Sequence, residues 1–203
     1  SIMKNMLNKT TDRLNASGQF ITQMVKWGED ASLRAVTDKL TGVFNRRYME
    51  SEIENRFNRA QQDHTPLSVI MADMDFFREV NEGYNHEVGD QYIKEVAKVF
   101  TETFRTTDIV SRYGGDEFTI LLPDTDVAAG MEIAEKVRRN VERLNFLKDL
   151  EGPDLRLSVS LGLSCYPATA TSIAELKEQA DKALYAAKHG GRNRVEHAPL
   201  KGA

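Results

Sequence analysis

The chain has 203 residues, a formal net charge of −4 and 40% hydrophobic residues. That length suits one ordinary domain plus an extension, and the apolar content is enough for a packed core. The acidic balance argues against a general binder of nucleic-acid polymers or membrane surfaces, although local basic residues can still hold nucleotide phosphates.

The lone Cys165 sits in an apolar run, reads as a buried thiol and has no partner for an intrachain disulfide. No run approaches a membrane span and no signal peptide is evident, so a cytoplasmic domain is expected. The start at Ser1 rather than Met suggests a piece cut from a longer protein.

Residues 1–36 read as a helix with Leu7, Leu14, Ile21 and Met24 on a heptad seam. Thr10, Ser17, Gly18 and Gly28 weaken it. A marginal coiled-coil stalk and a helix packed on its own domain are both open. The second unit, residues 37–203, begins with a turn around Gly42 and Asn45 and a helix over about 46–62. Leu67–Ala72 is a continuous apolar run of strand length, ending in Asp73-Met74-Asp75.

A short helix over 76–81 and a longer one over 88–104 follow. Ile109–Val110 and Phe118–Leu122 read as two strands joined by the tight turn Gly114-Gly115-Asp116-Glu117, where adjacent glycines permit positive φ. Asp126 lies in the cap of a helix over about 127–147. A strand is expected over 155–165, a helix from the Ser172 cap to about Lys188, and a last short strand over 193–197. Helices alternating with few strands predict an α/β (α+β) sandwich, with a mixed central sheet wrapped by helices and part of the sheet antiparallel.

Asp73 ends one strand and Asp116 follows the hairpin turn. If those strands are neighbours, the two carboxylates share one sheet edge and repel unless a cation neutralises them. Mg²⁺ suits hard oxygen ligands and shares carboxylates with substrate phosphates. Beside it, the helix start at Asp75-Phe76-Phe77-Arg78 offers backbone N–H groups and a guanidinium to an anion. Lys188 and Arg192 flank the Gly190-Gly191 helix stop; they either close over the same phosphates or offset the helix dipole. Asn81 and Asp90 are candidate base readers, since a carboxylate accepts from guanine N1–H and N2–H₂ while adenine lacks matching donors.

These residues resemble the diguanylate cyclase (GGDEF) family. The resemblance is carried by Asp38-Lys-Leu-Thr-Gly-Val-Phe-Asn-Arg-Arg47, Asp73-Met-Asp-Phe-Phe-Arg78, Asn81, His86-Glu-Val-Gly-Asp90, Arg112-Tyr-Gly-Gly-Asp-Glu-Phe118, Ser158-Val-Ser-Leu-Gly162 and Leu184-Tyr-Ala-Ala-Lys-His-Gly-Gly-Arg-Asn-Arg-Val195. It covers about residues 37–197 and implies a fold like the polymerase palm and adenylyl cyclases.

It also implies the condensation of two GTP into cyclic di-GMP and two pyrophosphates. The resemblance assigns metal binding to Asp73 and Asp116 by side chain and to Met74 by its carbonyl, with two Mg²⁺ per site and Mn²⁺ as an alternative; Glu117 would help bind metal or position the 3′-hydroxyl. It assigns phosphate to the N–H groups of Phe76 and Phe77 and to Arg78, Lys188 and Arg192, and guanine to Asn81 and Asp90. An inhibitory product site is implied at Arg105-Thr-Thr-Asp108. The symmetry of that reaction, two equivalent bonds between two nucleotides, leads to the expectation of a homodimer through the N-terminal helix with facing active sites.

Three positions depart from the usual pattern: Arg78 stands for Lys, Asn85 for Gly and Glu82 for Asp. Asn85 is expected to serve because Asn tolerates the left-handed region. A silent receptor for cyclic di-GMP would typically have lost Asp73, Asp116 and Glu117. A cyclase using adenine nucleotides would differ at Asp90.

Overall fold

The computed structural model describes residues 33–201. The chain divides into two units, 1–37 and 38–203. In the first, residues 33–36 are helical and Thr37 donates from N and Oγ1 to the Leu33 carbonyl. The expected seam at Leu7, Leu14, Ile21 and Met24 lies outside the described residues.

The second unit runs β1 (Phe44–Asn45), α1 (Arg46–Asp63), β2 (Leu67–Asp75), α2 (Phe77–Gly83), α3 (His86–Thr103), β3 (Ile109–Gly114), β4 (Glu117–Pro123), α4 (Val127–Glu142), β5 (Ser158–Tyr166), α5 (Ile173–His189) and β6 (Val195–His197). The strands form a mixed six-stranded sheet in the order β1-β3-β4-β2-β5-β6. β2 is central, antiparallel to both β4 and β5. The two edge pairs, β1 with β3 and β5 with β6, are parallel.

Alternation along β2 divides the core. Ile70, Ala72 and Met74 join Tyr92, Ile93, Val96 and Phe100 of α3 and Ala134, Val137 and Val141 of α4 in one buried cluster. Leu67 and Val69 face the other way, against Met49, Ile53 and Phe57 of α1 and Leu176 and Ala180 of α5. This is the expected sheet wrapped by helices. Asn45, Asn85, Asp126 and Ser172 cap their helices by accepting from the backbone N–H three residues on.

Four expectations are corrected. β2 continues through Asp75 because β5 pairs with it as far as Ser158. β5 therefore starts at Ser158 rather than 155, since β2 offers no partner beyond that point. α4 stops at Glu142, and a 3₁₀ turn over Phe146–Asp149 tucks Leu147 into the core. Asn85 is extended, with φ −176°, and serves as the α3 cap rather than as a left-handed residue.

Candidate active site

The signature turn is a two-residue hairpin in which Gly114 pairs with Glu117 and a register shift falls between Arg112 and Gly114. Gly115 has φ 53°, as the turn requires. Side chains brace it from behind. Arg112 donates from Nε to the Gly115 carbonyl at 2.8 Å and from Nη1 to Asp38 Oδ1 at 3.2 Å. Asp38 is itself fixed by the Thr41 N–H and hydroxyl. Tyr113 donates to Glu50 at 2.9 Å under the Arg46 guanidinium, and Lys177 completes the set by pairing with Glu50. The Asp38–Arg47 stretch, to which the sequence reading gave no role, thus anchors the hairpin.

Asp73 lies directly opposite Glu117 in the β2–β4 register, and the Met74 N–H donates to the Asp116 carbonyl at 3.2 Å. Strand end and hairpin tip therefore share one sheet edge, as expected. The Asp73 side chain is 11% exposed, with Lys188 Nζ 2.7 Å from its Oδ2. Burial is the main influence on its carboxyl. Lys188 pulls the other way, while the charges of Asp116 and Glu117 add to the burial, and together they push Asp73 up to about 6.

Among the described residues no three His, Cys, Asp or Glu side chains form an enclosing metal cage. The arrangement still fits Mg²⁺, which is commonly held by one or two carboxylates, waters and the substrate's phosphates. A desolvated carboxylate with acidic neighbours and one ammonium is short of positive charge.

The phosphate-side residues converge only in part. Phe76 has φ 58°, so α2 begins at Phe77 and not at Phe76. Arg192 holds its guanidinium 5.1 Å over the Phe76 ring, which joins the α5 stop to this turn. Arg78 points away: its side chain is 85% exposed and paired with Glu82 at 2.7 Å.

Asp75 is buried and not a phosphate-side group. It accepts from Ser158 Oγ at 2.7 Å, Ser160 Oγ at 2.8 Å and the Asn193 N–H at 3.0 Å. The signal for this was in the sequence: Ser158 and Ser160, two apart and so on one face of a largely apolar strand. Asn81 is set against the first turn of α3, one residue before Asp90: a Cβ on Gly89 would lie only 2.0 Å from Asn81 Oδ1. Gly89, in the motif but given no role, makes room for the Asn81 amide.

Arg105 and Asp108 lie at the far end of β3. Asp108 is buried and accepts from the Arg105 N–H at 2.8 Å and from its guanidinium at 3.0 Å. Arg105 also donates to Thr125 Oγ1 at 2.7 Å, and about half of its side chain stays exposed, at 52%.

The sequence model described as "Diguanylate cyclase, GGDEF domain" matches residues 35–194. The chain belongs to that family. It is 36% identical over 161 residues to the response regulator PleD of Caulobacter vibrioides, covering 79% of this chain and 36% of PleD. It is 37% identical over 183 residues to the diguanylate cyclase DosC of Escherichia coli, covering 90% of this chain and 39% of DosC.

The chain thus spans 36–39% of the length of these two relatives. Among solved structures, the coiled coil and GGDEF domain of DgcB from Caulobacter crescentus, in complex with c-di-GMP, superposes with a TM-score of 0.83 at 29% identity. That match covers 92% of this chain and 97% of the other. Among the described residues, no helix is long and apolar enough to cross a membrane.

Proposed function

We propose that this GGDEF domain condenses two GTP into cyclic di-GMP with release of two pyrophosphates, and that it works in the cytoplasm where GTP is available. The observation that carries the reading is the buried Asp73 carboxylate at the end of β2, registered opposite Glu117 and touched by Lys188. Family membership supports GTP as the substrate.

Asp73, Asp116, Glu117 and the Met74 carbonyl would hold two Mg²⁺, with Mn²⁺ as a substitute. When bound, these ions supply Lewis acidity at the α-phosphate and lower the pKa of the attacking hydroxyl. Phe76 and Phe77 offer N–H groups to the phosphates, and Lys188 and Arg192 offer charge. The paired, outward Arg78 contributes the least. Asn81 and Asp90 read guanine, Asp90 by accepting from N1–H and N2–H₂.

Each 3′-oxygen attacks the α-phosphorus of the other GTP, a P–O bond to pyrophosphate breaks and the hydroxyl proton departs. Two equivalent bonds between two nucleotides call for a C₂ homodimer with facing active sites. We assign its pairing to the N-terminal helix of residues 1–36. Product inhibition is assigned to Arg105 and Asp108, where an exposed guanidinium face suits guanine O6 and N7.

The test is purified chain with GTP and Mg²⁺ over a protein dilution series, with product mass and light scattering. Cyclic di-GMP with two pyrophosphates per product, at a specific activity that rises with dimer fraction, is the expected result. No product from demonstrably dimeric protein refutes the activity. Flat specific activity in demonstrably monomeric protein refutes the dimer.

A further inference from the structure

Of the five non-glycine residues with positive φ among the described residues, two lie on one turn, Arg192 (φ 61°) and Asn193 (47°), and a third, Phe76 (58°), lies across from it. Such conformations are strained in bulky residues and persist where the surroundings over-determine them. Arg192 reaches across to the Phe76 ring. The question is what holds the turn that carries it.

Asn193 is tied on every polar group of its side chain and on its N–H. Its N–H donates to buried Asp75, two residues beyond Asp73. Its Nδ2 donates to Glu142 Oε1 at 2.8 Å, and its Oδ1 accepts from Arg138 Nη1 at 2.9 Å. Arg138 is paired in turn with Glu142 at 3.0 Å and Glu135 at 3.1 Å. The Arg156 guanidinium also contacts Glu142.

Glu142 is the last residue of α4, where a negative charge opposes the helix dipole. Its carboxyl is nevertheless held below the usual carboxylate range, first by the Asn193 amide and then by Arg138. An acid on the wrong end of a helix is held there by two arginines and by the asparagine of a strained turn, and it ties that turn to α4.

We propose that Asn193, clamped by Glu142 and Arg138 of α4, is a positioning residue for nucleotide binding. It fixes the Gly190–Asn193 turn so that Arg192 stands over Phe76. The helix α4 thereby sets the grip on the GTP triphosphate. This rests on the reading of Arg192 as a phosphate contact.

The decisive variant is Asn193→Gly. Glycine adopts positive φ freely and keeps the N–H to Asp75, so only the side-chain clamp is removed. Affinity for a GTP analogue with a methylene between the α- and β-phosphorus is measured by calorimetry with Mg²⁺, alongside KM, kcat and thermal midpoint. Asn193→Gly should weaken analogue binding and raise KM by about tenfold, on the scale of lost supporting hydrogen bonds around a bound group.

The thermal midpoint and kcat at saturating GTP should stay near wild type. Glu142→Gln should show a smaller loss in the same direction. Arg192→Ala should weaken binding, and adding Asn193→Gly to it should cost little more, because both act through one contact. Wild-type affinity in Asn193→Gly and Glu142→Gln, with Arg192→Ala weakened, overturns the positioning role alone. Wild-type affinity in Arg192→Ala overturns the phosphate reading and the positioning role with it.

Discussion

Replacing Asp73 by Asn should make the metal-free domain more stable while ending its catalysis. Burial, reinforced by Asp116 and Glu117 and opposed by Lys188, raises the Asp73 carboxyl from 3.8 to about 6. A rise of that size corresponds to about 3 kcal/mol of preference for the protonated form. The folded value is above the unfolded one. The favourable contribution is therefore complete below about pH 4 and is lost as pH rises through about 6.

At pH 8 the wild type carries the full cost of a charged Asp73, and the amide does not. Lys188 loses its partner in the variant, but its side chain is 32% exposed and can be rehydrated. The net gain should be about 1–3 kcal/mol. For a domain of this size that is a rise in Tm of roughly 2–12 °C.

The assay is thermal unfolding of both proteins without divalent metal, from pH 8 down to pH 4.5. By linkage the gain should shrink to about a third of its value at the acid end. Added Mg²⁺ at pH 8 should raise the Tm of the wild type and not that of the variant. An Asp73→Asn variant no more stable than wild type at pH 8, or a difference independent of pH, would refute the reasoning.

Asp116→Ala should cost about 10³-fold or more in turnover, as loss of a metal-holding carboxylate does, with thermal stability nearly unchanged; near wild-type kcat in Mg²⁺ would sink its role. Asp90→Asn should erode a GTP-over-ATP preference of about 10²-fold or more, read as competing kcat/KM values, and an unchanged ratio would contradict guanine reading. Gly89→Ala would bring a methyl to 2.0 Å from Asn81 Oδ1, so the KM for GTP should rise by about tenfold while the core stays intact. Arg105→Ala should weaken cyclic di-GMP binding by about 1–3 kcal/mol in calorimetry. The same change strips buried Asp108 of its ion pair and should cost about 1–3 kcal/mol of stability, so rates must be normalised to folded protein. Product inhibition should lower kcat without raising the KM for GTP, and a competitive pattern would argue against the Arg105 site.

The central sheet and the acids at its edge were legible because β2 is continuously apolar and ends abruptly in Asp73 and Asp75. The hairpin was legible because two glycines punctuate two β-favouring runs. What escaped had no periodic signature. β1 spans only Phe44–Asn45, too short to alternate, and exists because β3 offers it an edge.

Asp75 read as a phosphate-side group from its position before Phe76, but strand pairing to Ser158 turns it inward. Arg78 carried the right charge in the right motif, yet Glu82 lies one turn along the same helix face and captures it. Asn193 read as the start of the last short strand, but β6 begins at Val195 and Asn193 sits before it with φ 47°. Its partners on α4 lie about 50 residues earlier, Glu142 51 and Arg138 55, and chain order alone does not bring them near.

The two proposed ligand sites stand at opposite ends of one hairpin. Asp116 is at its tip, while Asp108 precedes β3 and Thr125 follows β4. The seven residues of β4 span about 20 Å at strand rise. Between the ends, Ile120, Leu121 and Leu122 are wholly buried. A strand packed at interior density yields little to a ligand at one end, so small shifts at Arg105 are poorly placed to move Asp116. Nor can a molecule held there occupy the place of GTP in the same domain. If product binds at Arg105 as proposed, its inhibition would have to act on how two domains meet, because the proposed reaction joins two facing half-sites. On the proposed mechanism the packed hairpin would then serve as a rigid spacer between the metal edge and the product site.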